Sequence, residues 1–322
     1  MAAQNILIRL PNWLGDLLMA RPLLHAVRAT HPAARISALG PAASRLLEGE
    51  RLWDAWDAWP PDTRRRFDRL RQDVALVLPP SFSSAWKLPR GIGQRIGFAS
   101  EGRSWLLSHP IKRPARGEMH LSREYLRCGE PLGVQEVPLP TLAPATKELN
   151  EVQTRKRGMG LDGPHVVVAP GAAYGPAKRW PAERFVDLGH RLVARGLTVL
   201  VCGARQDRPI AETIAGAIGE RARSLAGETS LEEQLALCAT ARATVSNDSG
   251  LAHLAAAAGR PTVVIFGSTS SAWTAPLGER VTVIQHAPVC SPCFRRTCRI
   301  GYRCLQAVEV SEVERACLSD VA

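Results

Sequence analysis

Three short segments carry residues of the type and spacing that group transfer needs. The first is Pro11-Asn12-Trp13-Leu14-Gly15-Asp16, directly after the apolar run Asn5–Leu10. Gly15 permits close backbone approach at a helix start, and Asp16 falls in the first helical turn. A carboxylate there can take a proton from an attacking hydroxyl. It can also do no more than complement the helix dipole. The second is Pro170-Gly171-Ala172-Ala173-Tyr174-Gly175-Pro176-Ala177-Lys178-Arg179-Trp180-Pro181, between a strand and a helix. Small residues free the backbone while Lys178 and Arg179 supply charge, a set suited to a departing diphosphate. A plain Gly/Pro-rich loop with solvated cations is the alternative. The third is Ser246-Asn247-Asp248-Ser249-Gly250-Leu251-Ala252-His253, where a strand gives way to a helix. Backbone N–H groups point outward at such a start and can hold phosphate. The simpler reading is an N-cap alone, with His253 packed in the core.

Other signals narrow the chemistry. No Asp-x-Asp pair occurs, so the Lys/Arg loop and the helix N-termini are expected to replace a divalent metal. Gly91-Ile92-Gly93-Gln94-Arg95-Ile96-Gly97 imitates a dinucleotide fingerprint, but its glycine spacing is one residue too long and no strong helix follows. There is no G-x-x-x-x-G-K-[ST] loop and no G-x-S-x-G elbow. Cys290, Cys293, Cys298 and Cys304 cluster without the spacing of paired CxxC knuckles, leaving a structural metal or free thiols open. Arg295, Arg296, Arg299 and Arg303 interleave them and add positive charge suited to an anionic acceptor or a cofactor phosphate. Arg64-Arg65-Arg66 with Arg69 and Arg71 on an expected helix, and Lys112, Arg113 and Arg116 in a loop, read as solvated faces or as contacts to acceptor phosphates or an anionic membrane surface.

These segments need elements to position them. Strand signals at Asn5–Leu10, Arg35–Leu39 and Asp73–Leu78 alternate with helical stretches, beginning with Gly15–Thr30. Residues 138–164 are rich in Pro, Gly and charge and read as a linker. The pattern then restarts, with strands His165–Ala169, Leu197–Cys202, Ala243–Asn247 and Thr262–Phe266. Helices Pro181–Arg195, Asp207–Gly219, Ser230–Ala239 and Ser249–Ala258 separate them. Such alternation predicts parallel sheets covered by helices on both faces. Ligands of such folds bind at the carboxyl ends of strands, where all three segments fall, and two domains face to face would place a cleft there.

Length and composition agree. The 322 residues suit two domains, and 45% hydrophobic content supports their cores. The net charge is +11, with +7 in residues 1–150, favouring an anionic partner or plain solubility. The N-terminus lacks the features of a secretory leader, and runs such as Thr262–Phe266 are too short to cross a bilayer. A soluble cytoplasmic protein with reduced thiols is expected. Cys128, Cys202, Cys238 and Cys317 lie in apolar contexts and read as core filler.

Four blocks, RLPNWLGDLLMARPLL, APGAAYGPAKRWP, VSNDSGLAHLAAAAGRPTVVIFGSTS and SPCFRRTCRIGYRCL, span nearly the whole chain. Together they resemble glycosyltransferase family 9, the lipopolysaccharide heptosyltransferases, most closely its type II branch. The resemblance implies a GT-B fold, α/β with two Rossmann-like domains. Residues 1–150 would bind the acceptor and 151–322 the ADP-sugar. It implies inverting, metal-independent transfer of L-glycero-D-manno-heptose from ADP-heptose to the first heptose of the lipid A–inner core acceptor. Transfer of type I or III, or to a different acceptor, is the alternative. Asp16 matches the proposed base, Lys178 the diphosphate lysine, and Asp248, Ser249 and Gly250 the donor turn. Gly15, Tyr174, Leu251 and His253 accompany them, Asp207 is the candidate for the ribose, and Arg64, Arg65 and Arg113 for the acceptor. No cofactor is implied, and peripheral contact with the inner leaflet of the cytoplasmic membrane is. Type I enzymes carry hydroxyl residues where this chain has Ala173 and Tyr174. Rival readings are a sugar-nucleotide epimerase, which needs no acceptor, and a nucleic-acid binder. The latter rests on net charge alone and lacks stacking aromatics among the basic runs.

Overall fold

The computed structural model describes residues 4–59, 72–89 and 91–319. The chain divides into two compact units, residues 1–140 and 141–322. The first holds β1 (Asn5–Arg9), β2 (Arg35–Gly40), β3 (Ala55–Ala58), β4 (Gln72–Val77), β5 (Ile92–Phe98) and β6 (His109–Ile111). They form one parallel sheet in the order β3-β2-β1-β4-β5-β6. Helices α1 (Leu14–Thr30), α2 (Phe82–Trp86) and α3 (Leu121–Arg127) belong to this unit.

The second unit repeats the plan. Strands β7 (His165–Ala169), β8 (Thr198–Val201), β9 (Ala222–Ser224), β10 (Ala243–Asn247), β11 (Thr262–Phe266) and β12 (Val281–Gln285) form a parallel sheet in the order β12-β11-β10-β7-β8-β9. Its helices are α4 (Thr146–Gly158), α5 (Ala182–Ala194), α6 (Arg208–Ile218), α7 (Leu231–Thr240), α8 (Gly250–Ala257), α9 (Ser271–Thr274), α10 (Arg303–Gln306) and α11 (Val310–Leu318). In both units the strand order reverses beside the first strand, between β1 and β4 and between β7 and β10. In sheets of this kind ligands bind outside the carboxyl ends of the strands at such a switch point.

The sequence explains these elements locally. Strands sheltered on both faces read as unbroken apolar runs, such as Val166-Val167-Val168 and Val263-Val264-Ile265-Phe266, all buried. Helix α7 starts with a capping box. Ser230 Oγ accepts from the Glu233 N–H at 3.1 Å, and the Ser230 N–H donates to Glu233 Oε2 at 2.8 Å. Phe185, Leu188 and Leu192 of α5, with Ile214 and Ile218 of α6, pack on Val166, Val168 and Val199. Val313 and Cys317 of α11 close that core. Cys128, Cys202, Cys238 and Cys317 are buried as expected, and burial pushes their thiols well above the usual range.

Several details depart from the expectation. Residues 138–164 are not a bare linker, because α4 lies within them, and the division falls at Pro140/Thr141 rather than at 150/151. Strands β3, β5, β6, β9 and β12 have weak signals in the sequence. The decoy Gly91–Gly97 segment lies in β5, where Gly97 packs against the Val77 carbonyl; a Cβ there would meet that oxygen at 2.8 Å. Among the described residues, no helix is long and apolar enough to cross a membrane.

One buried pair gives the second unit a pH dependence. Lys156 Nζ lies 2.9 Å from His165 Nδ1 and donates to the Gly163 carbonyl at 3.2 Å, while His165 Nε2 meets the Leu237 carbonyl at 3.0 Å. Burial, then the Lys156 charge, pushes the imidazole down from 6.5 to about 4. The unfolded chain takes this proton near pH 6.5 and the folded chain refuses it until about pH 4. The contribution is therefore complete above 6.5 and is lost as pH falls through 4, amounting to about 3 kcal/mol. Urea denaturation from pH 7 to 4 is expected to show a loss smaller by that amount in His165→Gln. An equal loss in both proteins would remove His165 as the cause.

Candidate functional site

The switch point of the second sheet collects most of the expected residues. Asn247 ends β10 and its buried amide ties the loops after β7 and β10 together. Its Nδ2 donates to the Pro170 carbonyl at 2.7 Å, and its Oδ1 accepts from the Trp180 N–H at 2.9 Å. The loop between Pro170 and Trp180 is thereby pinned at both ends to the strand beside it. Lys178 is held inward, with Nζ 2.5 Å from Asp248 Oδ2. Asp248 also accepts from Thr269 Oγ1 at 2.6 Å and is almost wholly buried. Arg179 turns away, donating to the Ala172 carbonyl at 3.1 and 3.3 Å.

Helix α8 begins beside this pair. Ser249 is its N-cap residue in extended conformation, yet its hydroxyl does not cap the helix; it lies 3.1 Å from Ser246 Oγ. Gly250 opens the helix and Leu251 follows it. First-turn N–H groups of such a helix favour an anion. His253 is buried in α8, close to the packed-core alternative.

The cysteine segment has a defined place in this unit. The Tyr174 hydroxyl donates to the Phe294 carbonyl, and the Ala177 N–H donates to the Arg296 carbonyl at 3.0 Å. Gly175, at φ 145°, lies so close that a Cβ would meet the Arg296 carbonyl oxygen at 2.6 Å. The Phe294 N–H in turn donates to the Ser268 carbonyl at 2.7 Å. Residues 294–296 thus strap the lysine loop from outside. The four thiols are free, and among the described residues no group of three His, Cys, Asp or Glu side chains is placed to hold a metal. Cys298 Sγ accepts from the backbone N–H groups of Ile300 and Tyr302 at 3.4 and 3.3 Å, which lowers its thiol pKa.

Asp207 follows β8 and is buried. Its carboxylate accepts from the Ala204 N–H at 3.1 Å and lies against Gly171, where a Cβ would come within 2.3 Å of it. In this conformation it shapes the turn and supports the lysine loop.

At the first sheet's switch point, β1 delivers Arg9 and α1 delivers Gly15 and Asp16. Arg9 is fully buried, stacks 4.2 Å from the Trp59 ring centroid, and donates to Asn12 Oδ1 and the Leu10 carbonyl. It locks the turn that precedes Asp16, and burial pushes its guanidinium down to about 10. Trp13, the N-cap residue, is exposed and makes no side-chain cap. Asp16 is half-buried in the first turn. Its charge reaches the buried phenol of Tyr125 on α3, which burial first and Asp16 second hold well above its usual range.

The neighbouring loop after β4 is fixed by Arg103, also fully buried. It donates to Pro79 O at 2.7 Å, Ser81 O at 2.9 Å, Ser84 Oγ at 2.7 Å and Phe98 O at 2.9 Å. Arg113 is bound to buried Glu124 at 2.8 Å and stacks on Phe98, so part of its donor set is committed. Arg64 and Arg65 lie outside the described residues. Tyr125, Arg9, Arg103 and Thr269 were not singled out by motif, and each reaches its place through tertiary packing, although Arg9 and Thr269 fall within blocks that carry the resemblance. Arg296 was marked only as one of four arginines among the cysteines, and packing selects it from them.

Comparison with known proteins bears on the family and the fold. The sequence profile of glycosyltransferase family 9 (heptosyltransferase) matches residues 63–303. Lipooligosaccharide heptosyltransferase 2 of Haemophilus influenzae is 32% identical over 87% of this chain and 88% of its own. Lipopolysaccharide heptosyltransferase 2 of Escherichia coli K12 is 31% identical over the same shares. The solved structure of E. coli ADP-heptose lipopolysaccharide heptosyltransferase II superposes with a TM-score of 0.82 at 29% identity, covering 97% of each chain. Two parallel Rossmann-like sheets of matching order and a profile match over most of the sequence place this chain in glycosyltransferase family 9, the heptosyltransferases.

Proposed function

We propose that this chain transfers L-glycero-D-manno-heptose from ADP-heptose to the first heptose of the lipopolysaccharide inner core. The observation that carries the reading is the Lys178–Asp248 pair, set beside the N-terminus of α8 at the switch point of the second sheet. That arrangement suits a nucleoside diphosphate. The second unit then takes the ADP-sugar and the first the acceptor.

In the proposed reaction Asp16 removes the proton from the acceptor hydroxyl. The freed oxygen attacks the anomeric carbon as the bond to the diphosphate oxygen breaks, and the configuration inverts. The electron pair leaves on ADP. Lys178 and the first N–H groups of α8 stabilise its developing charge, in place of a divalent metal. Ser249, Gly250 and Leu251 supply that helix start, and Tyr174 flanks the lysine. Arg113, with Arg64 and Arg65, is the candidate set for acceptor phosphates. The protein works in the cytoplasm against the inner leaflet, where its positive first unit is drawn to anionic headgroups.

ADP release tests the reading, with ADP-heptose in the presence and absence of heptosylated lipid A core. Release that requires acceptor, with a gain of one heptose in acceptor mass, is the expected result. Acceptors bearing no heptose, or a completed second heptose, separate type I and III transfer from type II. Turnover of ADP-heptose without acceptor would favour an epimerase instead.

A further inference from the structure

Charge around the lysine loop does not balance for the anion it is read to hold. Lys178 already has a counter-ion in Asp248 at 2.5 Å, so the pair is neutral overall. Arg179 is spent on the Ala172 carbonyl. A diphosphate carries several negative charges, and each phosphate oxygen gains most from a charged donor. A further cation is needed, and one contacts the same aromatic ring.

Lys178 Nζ lies 5.0 Å from the Tyr174 ring centroid, and Arg296 Cζ lies 5.5 Å from it. The Arg296 backbone is not adrift on the surface. Its carbonyl accepts the Ala177 N–H at 3.0 Å, one residue before Lys178. The tight approach at Gly175 and the Tyr174 hydroxyl bond to the Phe294 carbonyl fix it further. The Arg296 side chain itself is exposed, and among the described residues no carboxylate pairs with it. Its contact with the ring is a weak one that an anion can readily replace.

We propose that Arg296 is the second cation of the diphosphate site, delivered by the 290–304 segment to the loop that carries Lys178. This rests on the reading of that loop as the diphosphate site. The cysteine-bearing segment then acts as the carrier of a phosphate-binding arginine. The planar guanidinium can grip a phosphate through two parallel hydrogen bonds, which an ammonium cannot reproduce.

Calorimetric titration of the full chain with ADP, and with adenosine as the uncharged control, tests the assignment. Arg296→Gln is expected to weaken ADP binding about 10–100-fold while leaving adenosine binding and Tm unchanged. Arg296→Lys is expected to recover part of the loss. Arg299→Gln, an exposed arginine of the same segment, is expected to bind ADP as the unsubstituted protein does. Equal ADP affinity in Arg296→Gln, with binding lost in Lys178→Ala, would overturn the role of Arg296 and leave the site reading intact. Equal weakening in Arg296→Gln and Arg299→Gln would also overturn it, by reducing the effect to a general field. Should the unsubstituted protein hold ADP no tighter than adenosine, the diphosphate reading fails and this assignment falls with it.

Discussion

Asp16→Ala is expected to lower kcat about 10²–10⁴-fold while leaving the Kd for ADP-heptose nearly unchanged, because general-base assistance acts on the acceptor and not on the donor. The position favours this role over simple complementation of the helix dipole. A first-turn carboxylate serving only the dipole contributes roughly 0.3–1 kcal/mol to stability and nothing to turnover. Asp16 is half-buried beside a buried phenol, on a turn locked by the buried Arg9. Two buried arginines, Arg9 and Arg103, are spent on fixing the loops around it, and desolvating a guanidinium is costly unless its donors are filled. Steady-state kinetics with saturating acceptor, beside donor titration of the same variant, separates the two roles. Near-normal kcat would remove Asp16 as the base, whatever happened to stability.

The parts of this molecule legible in its sequence are those governed by local rules. Val166–Val168 and Val263–Phe266 announce buried parallel strands because nothing polar interrupts them. The glycines and prolines between Pro170 and Pro181 announce a loop between a strand and a helix, which is where the fold places it. The capping box of Ser230 and Glu233 is visible at fixed spacing. Strands β3, β6 and β9 are short, with three or four residues each, too few to show a period. β5 was obscured by its glycines, which fit the sheet through close approach to the Asp73 and Val77 carbonyls. Helix α4 hides in a charged stretch because only a narrow stripe of it is buried, with Val152 and Lys156 inward. The site shows the same division. Asp16, Lys178, Asp248 and Ser249 sit in local motifs after strands. The pairing of Lys178 with Asp248 spans seventy residues and requires the order of the strands, since only adjacency of β7 and β10 brings their loops together. The strap formed by Phe294 and Arg296 is further still from any local rule. The cysteines that draw the eye in the sequence are, in the fold, chain neighbours of residues that contact the loop carrying Lys178.

Lys178→Ala is expected to lower kcat/KM for ADP-heptose about 10²–10³-fold, the range for losing one preorganised donor to a developing oxyanion. The substitution alone is ambiguous, because it also strands Asp248. That carboxylate is 3% exposed and would retain the Thr269 hydroxyl but no cation. Breaking a buried pair from one side costs roughly 3–5 kcal/mol of stability. The stranded charge would also repel the donor phosphates. Lys178→Ala combined with Asp248→Asn resolves this, since an amide fills the same space without charge and can still accept from Thr269. If the ammonium contacts the leaving diphosphate, the double variant recovers most of the lost Tm but stays within about tenfold of the single variant in kcat/KM, because its missing interaction is with the substrate. If Lys178 serves only to neutralise Asp248, removing both charges restores activity together with stability. Thermal melts and donor-dependent kinetics on the same two proteins decide between a lysine that acts on the phosphate and one that only keeps an aspartate buried.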